Sequence, residues 1–167
     1  FDISNMSIIE GNTGLIIIDP LISKETASAA LKLYYNYRPH KPIIAIIYSH
    51  SHIDHFGGVA GIIKKADVIA GKIKIIAPLN FMENAISENV YAGNAMSRRA
   101  TYMYGAYLPA NDKGLVDSGI GKTNSHGTPS LIAPTKSISK TGTKMHIDGI
   151  ELVFQYVPNT EAPTEMN

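Results

Sequence analysis

The sequence predicts an α/β fold on two observations. Strand-like, largely apolar segments occur at residues 15–18, 43–48 and 73–78, and the continuous apolar run 43–48 is expected for a central strand that is covered on both faces. Segments with helical signals follow them, which gives the alternation of strands and helices typical of α/β domains. The chain has 167 residues, 44% of them hydrophobic, and this is enough to bury the core of one domain.

The N-terminal elements are predicted from turn and capping residues. Residues 6–10 and 15–18 form a hairpin, because the Gly and Asn residues at 11–14 favour a turn between them. Ser23 caps a helix whose apolar face contains Ala27, Ala30, Leu31 and Leu33. That helix ends near Pro39, since proline forces the preceding residue out of helical geometry.

The later elements follow the same reasoning. A short helix is predicted at 59–65 and one or two helices at 79–96. Residues 97–134 are rich in Gly, Asn, Thr and Tyr with little periodicity, which predicts a long loop, and loops of that length are usually functional or disordered. Residues 144–157 predict a second hairpin that turns at Asp148 and Gly149.

Composition excludes several classes of function. The net charge is +1, so no large positive field is available for nucleic acid or an anionic membrane surface, and a small-molecule partner is favoured. The absence of cysteine excludes disulfides and thiolate metal ligands. No apolar run approaches about 18 residues, which argues against a membrane span.

Residues 49–58, which we call the metal loop, concentrate metal-binding side chains at a strand end. His50, His52, Asp54 and His55 place three imidazoles and one carboxylate within six positions. The alternate residues His50 and His52 can hold one ion, while Asp54 and His55 can hold a second ion about 3.5 to 4 Å away. A structural role without metal would leave several of these polar groups unsatisfied.

The predicted chemistry of such a site is metal-assisted hydrolysis. A water bridging two ions would lose a proton near neutral pH and act as the nucleophile, with Asp54 as the catalytic residue beside it. The remaining histidines, His40, His126 and His146, are isolated in the sequence, so a structural role is favoured for each.

The string His50-x-His52-x-Asp54-His55, after an apolar strand and before Gly57 and Gly58, resembles the signature of the metallo-β-lactamase superfamily. Asp19 ends the preceding strand, where that superfamily usually carries an aspartate beside the metals. The resemblance implies an αββα sandwich, incomplete in this chain, with two metal ions at one edge between the sheets.

Three further stretches, at 96–105, 119–123 and 160–166, resemble stretches typical of the alkyl sulfatases within that superfamily. The resemblance implies zinc as the metal and Glu161, in the string Thr-Glu-Ala-Pro, as a further zinc ligand. Glu165 is the second choice for that role. His126 does not occupy a position that the family uses, so it is left out of the ligand set.

The family resemblance also implies parts that we expect beyond Asn167, because both ends of the chain look cut. Residues 1–167 would then be part of a catalytic domain, followed by a helical dimerisation region and a C-terminal lipid-carrier-like domain. Further ligands of the second zinc ion are expected there, so the chain by itself could be inactive. The resemblance further implies a homodimer and a periplasmic or secreted location.

Substrate contacts remain open at this stage. Arg98, Arg99 and Lys122 could guide an anionic ester, although ordinary solvated surface charges are favoured. An alkyl chain could follow a path lined by aromatic and apolar side chains, and these could equally be ordinary packing residues. They are Tyr102, Met103, Tyr104, Tyr107 and Leu108.

The predicted function is zinc-dependent hydrolysis of an alkyl sulfate such as dodecyl sulfate to an alcohol and inorganic sulfate. The first alternative is another hydrolase of the same fold, acting on a lactone, thioester or β-lactam. The second is a non-catalytic metal-binding module.

Overall fold

The computed structural model describes residues 2–118 and 125–167. Its main sheet has five strands in the order β1-β2-β3-β4-β5. Strand β1 is antiparallel to β2, and the remaining neighbours are parallel. The strands are β1 (Ser7–Glu10), β2 (Leu15–Ile18), β3 (Ile43–Ile47), β4 (Lys74–Pro78) and β5 (Lys136–Ile138). The predicted α/β class is confirmed.

Alternation along the central strands divides the core into two parts. Leu15 and Ile17 of β2 face one side, where they pack with Ile46, Tyr48 and Ile75. This side is covered by the helices, which include α1 (Lys24–Tyr35), α2 (Lys65–Ile69) and α3 (Phe81–Ile86). Both faces of these strands are therefore buried, as their largely apolar sequences predict.

The other face of the main sheet packs on a second, two-stranded sheet. It consists of β6 (Thr143–Ile147) and β7 (Ile150–Phe154), an antiparallel hairpin. Ile147 and Phe154 of this hairpin share a core cluster with Ile16, Ile47 and Ile76 of the main sheet. Helices, main sheet and small sheet therefore form three successive layers.

The helix α1 begins as the capping prediction requires. The Ser23 hydroxyl accepts a hydrogen bond from Thr26 N at 3.2 Å, and the Thr26 side chain accepts one from Ser23 N at 3.4 Å. This reciprocal arrangement satisfies two backbone donors that the first helical turn leaves without partners.

Two predictions of local structure were wrong. The segment 59–65 is a single 3₁₀ turn, Val59–Gly61, and the helix proper is α2, which starts at Lys65. The predicted loop at 97–134 begins later, because α4 (Gly93–Tyr104) continues for two turns beyond Met96. A π-helical turn, Ser87–Tyr91, joins α3 to α4.

A carboxylate ties the two hairpins together. Asp148, at the β6–β7 turn, accepts hydrogen bonds from Thr13 N and Gly14 N at 2.7 Å each. Its backbone oxygen accepts a third from Asn12 N at 2.9 Å. Asp148 has φ +50° and Gly149 has φ +85°, as expected for a tight hairpin turn.

Among the residues that the structure describes, none of the helices has the length and apolar character needed to cross a membrane.

Candidate metal centre

The site forms where two parallel strands end at the same edge of the main sheet. Strand β2 pairs with β3 so that Ile18 lies beside Ile47. The residue after β2, Asp19, donates its backbone N–H to Ile47 O at 2.9 Å. Ser49 and the rest of the metal loop follow β3, so Asp19 lies next to the start of that loop, as ligand sites of α/β sheets generally do.

Asp19 organises the metal loop through both carboxylate oxygens. Its Oδ1 accepts a hydrogen bond from Ser49 N at 2.8 Å. Its Oδ2 accepts one from the Ser49 hydroxyl at 2.6 Å and one from His55 Nδ1 at 2.8 Å. Only 8% of Asp19 is exposed, so these donors replace the water that the carboxylate loses on folding.

These contacts determine which nitrogen of His50 is free. The Ser49 hydroxyl has one proton, which it donates to Asp19, so its oxygen can only accept from His50 Nδ1, at 2.9 Å. The proton of His50 is therefore on Nδ1, and Nε2 carries a lone pair. Burial, together with electrostatic repulsion by the neighbouring His55 and His52, lowers the pKa of His50.

Two further ligand atoms lie close to the free nitrogen of His50, Nε2. His52 Nδ1 lies 3.0 Å from His50 Nε2. Glu161 Oε1 lies 3.7 Å from each of these two nitrogens. Within residues 2–118 and 125–167, His50, His52 and Glu161 are the one group of three potential ligands whose ligand atoms all lie within 4.8 Å of one another.

His55 and Asp54 form a second ligand pair beside this trio. His55 Nε2 is 3.2 Å from Asp54 Oδ2, and the rings of His55 and His50 are 4.0 Å apart between centroids. Burial alone would lower the pKa of His55, but hydrogen bonds to Asp19 and Asp54 raise it to about 10. A cation bound between Nε2 and Asp54 would therefore displace a proton.

Glu161 reaches the trio because the chain turns back on itself after β7. Met166 N donates to Ser49 O at 2.9 Å, and Glu165 forms a β-bridge with His50. Glu165 Oε2 accepts hydrogen bonds from Glu161 N at 2.8 Å and from the Thr160 hydroxyl at 2.7 Å. Glu165 therefore stabilises the turn, and Glu161 is the glutamate that faces the histidines.

The donor set fits a divalent cation. His50 Nε2 and His52 Nδ1 face each other at 3.0 Å, and two lone pairs at that separation repel unless a proton or a cation lies between them. Imidazole and carboxylate ligands suit zinc and related divalent ions. The trio can hold one ion, and the Asp54–His55 pair offers two ligands towards another.

A cavity of about 1050 Å³ opens in front of these ligands. His52, Asp54, His55 and Glu161 line it. The π-helical turn and α4 contribute further lining residues. Among these, the apolar side chains are Val90, Met96, Ala100 and Tyr104. The last three are spaced four residues apart on α4 and therefore lie on one face of that helix.

The chain matches the family model described as the metallo-beta-lactamase superfamily over residues 1–140. It belongs to this superfamily. Members are expected to bind divalent metal ions, and His50, His52 and Glu161 are the candidate ligands here. The predicted resemblance to this superfamily and its fold is confirmed.

Individual members of the superfamily have high sequence identity to this chain. The chain is 58% identical to a linear primary-alkylsulfatase of a Pseudomonas species, over 99% of this chain and 25% of the relative. It is also 58% identical to an alkyl/aryl-sulfatase of Saccharomyces cerevisiae, over 99% of this chain and 26% of the relative. It therefore spans about a quarter of the length of the curated relatives it matches.

A solved structure shares the fold closely. The stereoselective inverting sec-alkylsulfatase of a Pseudomonas species superimposes with a TM-score of 0.94 at 52% identity. The comparison covers 99% of this chain and 26% of that structure. The predicted resemblance to alkyl sulfatases is thus confirmed.

The structure places all five predicted metal ligands close together. Most of the residues predicted to contact the substrate, in contrast, do not line the cavity. Arg98 and Arg99 are exposed on α4 and do not line it. Tyr104 is on its wall, whereas Tyr102 and Tyr107 are 88% and 89% exposed. Lys122 and the stretch 119–123 lie outside the described residues.

Two residues at the site escaped prediction. Ser49 is adjacent to the metal loop's first histidine, so its position could have suggested a role. Glu88, in the π-helical turn, lies 3.3 Å from His52 Nε2 through its Oε1. No sequence signal marks Glu88, because its proximity depends on how the turn packs over the metal loop. His126 lines a separate small cavity beside Ser23.

Proposed function

We propose that the protein containing this chain hydrolyses alkyl sulfate esters to an alcohol and inorganic sulfate, using two zinc ions. The observation that carries the proposal is the 58% identity to a linear primary-alkylsulfatase over 99% of this chain, a match that spans the candidate metal centre. The structure supports it with a convergent donor set at the edge of a large cavity.

The five predicted ligands would divide between two ions. His50, His52 and Glu161 would hold one, and Asp54 and His55 would contribute to the other. Bound zinc supplies Lewis-acid stabilisation of negative charge on sulfate oxygens and activates water as a nucleophile.

The protein's own groups orient this reaction. Asp19 holds His55 through Nδ1, so its Nε2 faces Asp54 and the cavity. Ser49 holds His50 through Nδ1, so its Nε2 faces the trio. Ligands fixed in this way lose little conformational freedom when the transition state forms, which is the benefit of a preorganised site.

The part of the cavity lined by the π-helical turn and α4 suits an alkyl chain. Val90, Met96, Ala100 and Tyr104 contribute apolar side chains to the lining. A sulfate group directed to the metal side would leave the hydrocarbon against these side chains, where burial is favourable by about 25 cal/mol per Å² of apolar surface.

A homodimer, further domains and a periplasmic or secreted location stay predictions for the whole protein. They rest on the alkyl sulfatase resemblance.

The test is hydrolysis by the protein at its full natural length, loaded with zinc. Sulfate release is measured from dodecyl sulfate and from a secondary alkyl sulfate, with a lactone, a thioester and a β-lactam in the same panel. His52→Ala serves as the matched inactive control. Release of sulfate in the wild type alone is expected.

Zinc-loaded protein that releases no sulfate but cleaves another substrate of the panel would overturn the proposal in favour of another hydrolase. Protein that cleaves nothing in the panel would favour the non-catalytic module, whether or not it retains metal after dialysis.

A further inference from the structure

We propose that Glu88 is a positioning residue that fixes the tautomer and ring orientation of His52, so that His52 Nδ1 is directed at the candidate metal centre. This inference rests on the metal centre of the proposed function but not on its substrate. It assigns a role to Glu88, which is not one of the predicted metal ligands.

The two nitrogens of His52 have different neighbours. Nδ1 lies 3.0 Å from His50 Nε2 and 3.7 Å from Glu161 Oε1, inside the ligand trio. Nε2 lies 3.3 Å from Glu88 Oε1, on the other side of the ring. The imidazole therefore separates Glu88 from the metal position, which makes Glu88 an outer partner and not a ligand.

This arrangement selects one tautomer. A neutral imidazole has one N–H, and an ionised carboxylate can only accept a hydrogen bond. A metal ion on Nδ1 requires the lone pair there, and Glu88 favours that tautomer because it can accept the proton of His52 on Nε2. The competing tautomer has the proton on Nδ1, from which it is donated to His50 Nε2 at 3.0 Å. Metal-ligating histidines commonly donate their second N–H to a carboxylate in this way, which fixes the ring and raises the basicity of the ligand.

Each histidine of the metal loop would then have its own oxygen partner. His50 Nδ1 is held by the Ser49 hydroxyl at 2.9 Å, and His55 Nδ1 is held by Asp19 at 2.8 Å. Both partners lie at the ends of β2 and β3. His52 is the remaining histidine, and its partner comes from a different part of the fold.

The local structure explains how Glu88 reaches His52. Glu88 lies in the π-helical turn Ser87–Tyr91, and such wide turns are frequent at functional sites. The next residue, Asn89, donates its side-chain N–H₂ to Ala85 O at 2.9 Å and to Ser51 O at 3.4 Å. The turn is therefore attached to the metal loop beside His52.

Glu88 and His52 are both largely shielded from water. Their side chains are 21% and 28% exposed, so the contact is stronger than the same pair on an open surface. Loss of an outer partner of a metal ligand typically lowers metal affinity about 10- to 100-fold.

The first test measures zinc affinity by competition with a chromogenic chelator in the full-length protein. We expect Glu88→Ala to weaken binding about 10- to 100-fold. Glu88→Gln should lose less, because its amide oxygen can still accept from Nε2–H. Glu83→Ala is the matched control, since Glu83 is exposed on the preceding helix α3 and should retain wild-type affinity.

The second test reads the tautomer directly, without metal or substrate. Long-range ¹H–¹⁵N spectra of the imidazoles should show a proton on His52 Nε2 in the wild type and in Glu88→Gln. In Glu88→Ala that proton should shift to Nδ1, from which it can be donated to His50 Nε2. Wild-type zinc affinity in both Glu88 variants, or an unchanged Nε2–H tautomer in Glu88→Ala, would overturn the proposal.

The readouts separate this inference from the proposed function. A wild-type protein that binds zinc but cleaves no sulfate ester would contradict the function and leave the Glu88 tests intact. A Glu88→Ala protein with wild-type affinity would contradict the inference even if sulfate were released.

Discussion

Asp19 Oδ2 accepts a hydrogen bond from His55 Nδ1 at 2.8 Å, between two residues 36 positions apart. The same oxygen accepts from the Ser49 hydroxyl, so one carboxylate holds the first residue of the metal loop and its third histidine. Its position immediately after β2 makes this contact a direct consequence of the parallel pairing of β2 with β3.

Replacing Asp19 should weaken metal binding while retaining the fold. Asp19→Asn is the informative variant, because Asp19 has φ +53° and asparagine tolerates that conformation. We expect zinc affinity to fall about 10- to 100-fold, as for other outer partners. Chelator competition measures it, with Asp112→Asn at an exposed position as the control. Unchanged affinity in Asp19→Asn would contradict this role.

Removing the Glu161 carboxylate should have a larger effect on metal binding. Glu161→Ala deletes one of three converging ligands, so we expect a greater loss than the about 10- to 100-fold caused by losing an outer partner. Glu151→Ala, on exposed β7, is the control. If Glu161→Ala retained wild-type zinc content after dialysis, Glu161 would not be a ligand.

Asp148 should make stability dependent on pH. Hydrogen bonds from Thr13 N, and from the Thr13 side chain and Gly14 N, hold the pKa of Asp148 below its ordinary value and together outweigh the opposing effect of desolvation. Its stabilisation is complete above the ordinary Asp pKa of about 3.9 and is lost as the pH falls through the lower folded value.

The variant Asp148→Asn should therefore have a lower Tm than the wild type at neutral pH, and the difference should shrink under acidic conditions. Asparagine preserves the left-handed turn, so the comparison isolates the charge. Thermal unfolding followed by circular dichroism measures both proteins, and Asp112→Asn controls for loss of one surface carboxylate. A constant difference at all pH values would contradict the electrostatic explanation.

Gly58 should not accept a side chain. A Cβ at Gly58 would overlap the carbonyl oxygen of Pro20 and approach the Ala27 methyl group, so Gly58→Ala should destabilise the protein by about 1–3 kcal/mol. Gly93→Ala is the control, because a Cβ there would meet no atom within 4 Å. Urea unfolding compares the two, and equal midpoints would show that the loop around Gly58 can adjust.

If the proposed function holds, a larger side chain in the cavity should impair binding of long alkyl sulfates more than binding of short ones. Ala100→Phe places a ring among the apolar lining residues, so the KM for dodecyl sulfate should rise more than the KM for a short alkyl sulfate. Ala95→Phe, on an exposed position of α4, is the matched control. Equal changes in KM for both substrates would place the alkyl chain elsewhere.

The parts of the fold that local patterns determine were predictable. Largely apolar segments predicted β2, β3 and β4, and the Asp148–Gly149 pair predicted the β6–β7 turn. Strand β5 was missed, because its three residues are too short to show a period. The continuation of α4 to Tyr104 was also missed, since its many small and polar residues resemble a loop.

The site was predictable to the extent that its residues are close in sequence. The metal loop was predicted because it has four potential metal ligands within six positions, and Glu161 was predicted from the family resemblance. Glu88 was not, because its distance from His52 depends on the π-helical turn and on the Asn89 contact with Ser51. Long-range packing of this kind leaves no pattern in a single sequence.

The return of the chain to His50 after β7 also has a consequence for biosynthesis. His50 leaves the ribosome roughly 110 residues before Glu161, an interval of about 5 to 20 s at typical elongation rates. During that interval the nascent chain carries the histidines without their glutamate partner, and a chaperone or an early metal ion could act on an unfinished centre. Completion of the metal trio therefore has to wait until β6, β7 and the turn after them have been synthesised.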